Sequence, residues 1–183
     1  GRGIGRATAK ILTARGARVM AVSRSAEELA SLGLDYVAAD LSTLEGCTLA
    51  VDETVEQLGP IDILVCNHGI GSAHEKVIWE QDPDVWSETM RVNLDGPFNL
   101  SRLVLPGMVQ RRQGRLVFTS STAGQIAEAA GSAYTSSKHG LLGLMRSAAV
   151  DGGPYNITSN AVLPGWVRTA MADRSAQAEA NER

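Results

Sequence analysis

Aromatic residues are scarce: Trp, Tyr and Phe together make up 4% of the 183 residues, too few for a base-stacking surface. A basic excess is missing as well. Seventeen Lys and Arg against 20 Asp and Glu leave a formal net charge of -3, so neither nucleic acid nor an anionic membrane is implied as a partner. Only two cysteines occur, Cys47 and Cys66, far apart and without knuckle spacing. They read as packing residues rather than a metal site or a disulfide. The histidines His68, His74 and His139 share no ligand-like spacing with carboxylates or cysteines, so no metal is expected. No apolar run reaches the roughly 18 residues of a membrane span, and no signal peptide precedes the domain. A cytoplasmic protein is the default expectation. An initiator methionine is absent too. The chain opens inside what reads as a glycine-rich turn and closes on the polar run SAQAEANER, which resembles the start of a helix. It therefore reads as a fragment, truncated at both ends.

What is present is alternation. Residues 3–15 place Ala7, Ile11 and Leu12 on one helical face, with Gly16 as its stop. RVMAVS (18–23) is a strand, and SAEELASLG (25–33) a helix with Ser25 and Glu28 spaced as a capping box. DYVAAD (35–40) is again a strand. A helix over 42–59 shows the same spacing at Ser42 and Glu45. IDILVCN (61–67) is continuously apolar, as a parallel strand covered on both faces should be. A long helix follows Asn93 to about Gln113, then strand 114–121, helix 132–150 and strand 156–164. Such alternation predicts one α/β domain over 1–183, a doubly wound parallel sheet with right-handed crossovers.

Two clusters carry chemistry. Gly1, Gly3 and Gly5 open the first helix, where backbone N–H groups and the helix dipole can hold a pyrophosphate. Glycine admits the phosphates where a side chain would block them; a plain turn would read the same way. Tyr134 and Lys138 are four residues apart in YTSSK, so phenol and ammonium share one helix face. A nearby cation lowers a phenol pKa from about 10 by roughly 1–3 units, which suits acid–base work near neutrality. Alone, the pair reads rather as a surface tyrosine and a solvated lysine that happen to be four apart.

The two clusters do not stand alone. Tyr134 and Lys138 match the Tyr-x-x-x-Lys signature of the short-chain dehydrogenases/reductases, and the chain resembles that family throughout. Ser121, thirteen residues before Tyr134 at a strand end, falls where the family keeps its catalytic serine. Asn93 in MRVNLDG matches the asparagine of its long fourth helix. Gly3-Ile4-Gly5 matches the end of the TGxxxGxG turn, Asn67-His68-Gly69 the Asn-Ala-Gly element, and Pro164-Gly165 the Pro-Gly element after the sixth strand. His68 departs from the usual alanine and Cys66 from the usual asparagine before it; His68 reads as a packing variant.

The resemblance implies roles. Tyr134 would be the acid/base, and Ser121 a hydrogen-bond donor to the same substrate oxygen, with Ser120 next door able to swap roles. Lys138 would hold the nicotinamide ribose and depress the tyrosine pKa. Asn93 would position a water linking that lysine to solvent, unless it is an ordinary helix cap. Cofactor contacts are implied at Arg2, Gly3, Ile4 and Gly5, at Ser23 and Arg24, and at Asp40 and Leu41. Further contacts are implied at Asn67 and Gly69, at Tyr134 and Lys138, and at Pro164, Gly165, Val167 and Thr169. Asp40 would meet the adenine edge or merely cap the following helix; Thr169 would touch the nicotinamide carboxamide.

Charge bears on the cofactor. An NAD enzyme usually ends its second strand with a carboxylate for the ribose 2′-OH. Here Ser23 is followed by Arg24, and Arg2 precedes Gly3. Two guanidinium groups and no carboxylate suit a 2′-phosphate, which favours NADP(H) over NAD(H). The expected activity is hydride transfer to or from an alcohol or ketone, as in a 3-oxoacyl-carrier-protein reductase. Sugar, polyol or steroid dehydrogenases of the same family are alternatives, as is a catalytically inactive NAD(P)-binding regulator. Apolar residues on more than one face of the helices at about 94–112 and 133–150, among them Leu103, Leu105, Leu144 and Met145, imply a homodimer or homotetramer. The family's sheet order, 3-2-1-4-5-6, puts the first strand in the middle. Its absence here leads us to expect a Rossmann sheet missing that strand and the C-terminal part, with a gap of about 10 Å between the strands near 18–23 and 61–67. The bare 183-residue chain is then expected to be unfolded or insoluble.

Overall fold

The computed structural model describes residues 1–71 and 76–169. His74 and the terminal SAQAEANER run lie outside the described residues. Helix α1 (Gly3–Ala14) leads to strand β1 (Met20–Ser23), the short helix α2 (Ala26–Ala30) and strand β2 (Asp35–Ala38). Helix α3 (Leu44–Leu58) and strand β3 (Ile63–Cys66) follow. Next come α4 (Pro83–Met90), α5 (Gly96–Arg111), β4 (Gly114–Thr119), α6 (Ser132–Gly152) and β5 (Ile157–Val162). Every strand pairing is parallel, as a doubly wound α/β fold requires.

The strands form two sheets, β1–β2 and β3–β4–β5. No ladder joins β1 to β3. A cleft of about 880 Å³ lies between them, lined by Met20, Ala21 and Val22 on one side and Ile63, Leu64 and Val65 on the other. This is the interruption the sheet order predicts. It also corrects the reading of 61–67 as a strand buried on both faces: Ile63 is 48% exposed, because β3 is bonded along one edge only. The same cleft explains α1. Its Gly5, Thr8, Ala9 and Leu12 line the opening, and none of its residues is buried.

The core sits around the three-stranded sheet. On β4, alternation turns Leu116 and Phe118 inward, both fully buried among Met108, Leu100, Val104 and Leu141. Burial of side chains this size stabilises by roughly 1.5–3 kcal/mol each. Helix α6 packs along β5 and β4, and bonds from Lys138 to Thr119 and Ser120 tie its N-terminal half to the C-terminal end of β4.

The structure departs from the local sequence signals in three places. Thr43, not Ser42, caps α3: its Oγ1 accepts the Gly46 N–H at 3.0 Å, while Ser42 is buried and its N–H donates to Asp40 Oδ1. At α2, Ser25 accepts the Glu28 N–H at 3.3 Å, but the Glu28 carboxylate turns to Arg2 at 3.1 Å instead of closing a capping box. The helix expected after Asn93 is α5, but a further helix, α4, precedes it from Pro83. Between α4 and α5 runs a π-helical turn, Arg91–Asp95, so Asn93 lies inside a helical rod and is no cap. Such single turns leave one residue out of the regular ladder and aim it at a neighbour.

Candidate active site

Strand ends create the site. Beyond β4 the chain reaches Ser120 and Ser121, and the 3-10 turn Thr122–Gly124 opens there. The two serines divide. Ser120 is buried, and its hydroxyl donates to the Lys138 carbonyl at 3.1 Å, tying β4 to α6. Ser121 is half-buried, and its Oγ accepts the Ala123 N–H at 3.2 Å. That leaves the Ser121 hydroxyl proton, rather than Ser120's, free of this backbone tie.

Tyr134 and Lys138 occupy adjacent turns of α6, and the Lys138 Nζ stands 5.6 Å from the centroid of the Tyr134 ring. Lys138 is 5% exposed, and its Nζ donates to the Thr119 carbonyl at the end of β4 at 3.0 Å. Burial lowers its pKa from 10.5 to about 8, since the charged form loses water. Asn93 is fully buried. Its Oδ1 accepts the Ile70 N–H at 2.8 Å, and its Nδ2 lies 3.0 Å from the Ile70 carbonyl and 3.1 Å from Ser137 Oγ. The π-helical turn thus locks the segment after β3 to the helix that carries Tyr134 and Lys138.

Close approaches join the rest. Gly3, at φ +52, faces Thr169, whose methyl would stand 3.1 Å from any Cβ added there. Gly5 lies against the Asn67 amide, and the Thr119 hydroxyl donates to Asn67 Oδ1 at 3.2 Å. A Cβ on Gly69 would stand 3.1 Å from Asn93 Oδ1 and 3.4 Å from Lys138 Nζ. Pro164 accepts the Thr122 N–H at 3.1 Å, which places the Pro164-Gly165 element beside the Ser121 turn. The glycine turn, Asn67, Gly69, Thr169, Asn93 and Lys138 therefore meet along one line of contacts.

Other expected contacts stand farther out. Val167 is 42% exposed, and Arg24 is exposed with no ion pair among the described residues. Asp40 is exposed. Its carboxyl is held below the usual range, first by the Ser42 backbone N–H, whereas the helix after it is capped by Thr43. Leu41 is buried, and its carbonyl sits against Gly96. Ile4 is half-buried in the first turn of α1. Thr119, Ser137 and Ile70 escaped the sequence reading because they act through backbone groups or neighbours. Glu28 showed only as a cap.

The dinucleotide implied by the resemblance fits what is here. Side chains at Gly3 or Gly69 would fill the cradle, the start of α1 offers N–H groups to phosphate, and Lys138 is a buried cation at the inner end.

Comparison with known proteins agrees. The family profile described as short chain dehydrogenase matches residues 1–180. D-beta-hydroxybutyrate dehydrogenase of Cupriavidus necator is 33% identical over 189 residues, covering 98% of this chain and 72% of that protein. A 3-oxoacyl-(acyl-carrier-protein) reductase of Vibrio cholerae is 33% identical over 177 residues, 93% of this chain and 71% of its own. Among solved structures, an actinorhodin polyketide ketoreductase variant with NADPH superimposes with a TM-score of 0.91 at 31% identity, over 99% of this chain and 73% of the other. With the Tyr134–Lys138 face, the glycine turn and a profile match over nearly its whole length, the chain belongs to the short-chain dehydrogenase family.

Proposed function

We propose that the protein transfers a hydride between NADP(H) and an alcohol or ketone, with Tyr134 as the acid and base. The observation that carries this reading is the ammonium of Lys138, buried and held 5.6 Å from the Tyr134 ring centroid. A cation so placed favours the phenolate, and thereby a phenol that releases and recovers its proton easily. In the reductive direction Tyr134 gives its proton to the substrate oxygen; in the oxidative direction it takes that proton back. Ser121 donates a hydrogen bond to the same oxygen and stabilises the charge that develops there. Lys138 and Asn93 hold Tyr134 and the Gly69 segment in register. The bound nicotinamide supplies or accepts the hydride.

Two of the similar proteins are named for D-beta-hydroxybutyrate and for a 3-oxoacyl group, which supports a beta-oxo or beta-hydroxy acyl compound as substrate. A screen of beta-oxo acyl esters, sugars, polyols and steroids with each cofactor tests this. Turnover confined to sugars or steroids would displace the acyl reading, and turnover of none would favour an inactive cofactor-binding protein.

Arg24 beside Ser23, exposed and without an ion pair among the described residues, and Arg2 before the glycine turn support NADP(H), as does the NADPH named with the similar ketoreductase. Arg24→Asp is expected to weaken NADPH about tenfold while leaving NADH nearly unchanged, through loss of a charge-assisted contact and gain of repulsion. Equal affinities for both cofactors in the unmodified protein would refute the preference.

The intact protein is expected to be a homodimer or homotetramer, by apposition of α5 and α6. Phe98 and Val150 are the large apolar side chains these helices expose, at 48% and 76%. Leu103, Leu105, Leu144 and Met145 are instead partly buried against the core. Sedimentation as a strict monomer at micromolar concentration would count against it.

A further inference from the structure

We propose that Glu28 is a specificity-determining residue of the cofactor cleft: its carboxylate competes with a 2′-phosphate for Arg2 and accepts from the 2′-hydroxyl of a ribose that carries no phosphate. The inference rests on the NADP(H) reading and qualifies it.

Arg2 is the basic residue of the glycine turn, and it is not free. Its Nε lies 3.1 Å from Glu28 Oε1, with Glu28 one-third exposed and Arg2 well exposed. The other carboxylate oxygen turns to the turn itself. A Cβ built on Gly1 would stand 2.8 Å from Glu28 Oε2 and 3.6 Å from Ser23 Oγ. The carboxylate therefore lies beside the end of β1, in the corner bounded by the glycine turn and Ser23. Ser23 stands where an NAD enzyme would carry its ribose-binding carboxylate. Here that carboxylate comes from a helix residue five positions later.

The consequence is a matter of charge. A guanidinium recognises phosphate through parallel N–H groups, and a carboxylate already on Nε occupies one edge of that fork. A 2′-phosphate arriving near Arg2 and Arg24 must also approach a fixed negative charge, whereas a 2′-hydroxyl can donate to it. Glu28 thus opposes the two arginines. It narrows a preference for NADP(H) that they alone would make wide. The site is solvent-accessible, so the effect is moderate and weakens with salt.

The test is equilibrium binding of NADPH and NADH, by fluorescence titration at low ionic strength, to the intact protein and to Glu28→Gln, Arg2→Gln and the double variant. Glutamine keeps the shape of Glu28 but removes its charge and replaces one accepting oxygen with an N–H donor. Glu28→Gln should bind NADPH about fivefold more tightly and NADH severalfold more weakly, and the NADPH gain should shrink when Arg2 is also replaced. An unchanged ratio of the two affinities in Glu28→Gln, or equal changes in both, would overturn the role of Glu28. If instead the unmodified protein prefers NADH and Arg24→Asp leaves NADPH binding untouched, the NADP(H) reading fails. The ratio shift on Glu28→Gln still decides the carboxylate's role separately.

Discussion

Tyr134→Phe should lower turnover by about 10²- to 10⁴-fold, the span that general acid–base catalysis supplies, while cofactor affinity stays within about twofold. The substitution removes one hydroxyl and leaves the ring. Lys138 keeps its bond to the Thr119 carbonyl at 3.0 Å, and Asn93 keeps its bonds to Ile70 and Ser137. The frame around the missing oxygen therefore remains. Steady-state kcat with a reducible ketone, read beside direct titration of NADPH, separates the two effects. A Phe variant retaining a tenth or more of the turnover would move the proton donor elsewhere, to Ser121 on the present reading. Lys138 adds a pH signature to the parent protein. Its ammonium, with a pKa brought down by burial to about 8, is present below that value and lost above it. The support it gives to the phenolate should therefore fade as pH rises past about 8, and a rate still climbing through pH 9 would argue against that support.

The order of elements was legible because periodicity switches cleanly between 2 and 3.6 along the chain. The interrupted sheet followed instead from the family resemblance, which implies the strand order and so which strand is missing from the middle. The motif residues were legible because their spacing is chemical: four residues put Tyr134 and Lys138 on one face wherever the helix packs. What stayed hidden depended on tertiary partners. Helix α4 has Asp82 as its cap and Pro83 in its first turn, but the polar face of DVWSETM hides its periodicity. The π-helical turn at Asn93 has no propensity of its own; it exists because the Asn93 amide bridges Ile70 and Ser137 across 23 and 44 residues of sequence. Ser120 and Ser121 are indistinguishable by pattern, and only the Lys138 carbonyl above β4 separates them. Ser25 caps α2 as its position suggests, but the Glu28 carboxylate, expected to close the capping box, instead meets a cation 26 positions earlier in the chain.

Lowering the pH from 7.5 to 5 should cost the protein about 2 kcal/mol of stability through His68 alone, and His68→Ala should lose that component. The imidazole follows β3, where the family resemblance leads one to expect alanine, and its Nε2 is buried with no hydrogen-bond partner among the described residues. A Cβ on Gly96 would stand 2.7 Å from that nitrogen, so helix α5 closes over it. Burial is the main cause that brings the pKa from 6.5 to about 4. The nearby Lys138 charge acts in the same direction and Asp40 against it. Above pH 6.5 the ring is neutral whether the chain is folded or unfolded, and the contribution is complete. Between 6.5 and 4 the unfolded chain takes up a proton that the folded one refuses, so stability falls with pH. Each unit is worth 1.36 kcal/mol, which gives about 2 kcal/mol by pH 5 and about 3 by pH 4. Against a typical domain stability of roughly 5–15 kcal/mol this is a large share. Asp40, whose pKa is lowered from 3.8, loses its contribution mainly below pH 4, outside the window from 5 to 6.5. Urea unfolding at pH 7.5 and 5 checks it, in the intact protein and in His68→Ala. The alanine variant is expected to be less stable at pH 7.5, from the cavity it leaves, yet flatter between the two pH values. Equal pH slopes in the two proteins would show that the imidazole is protonated inside the fold as readily as outside it.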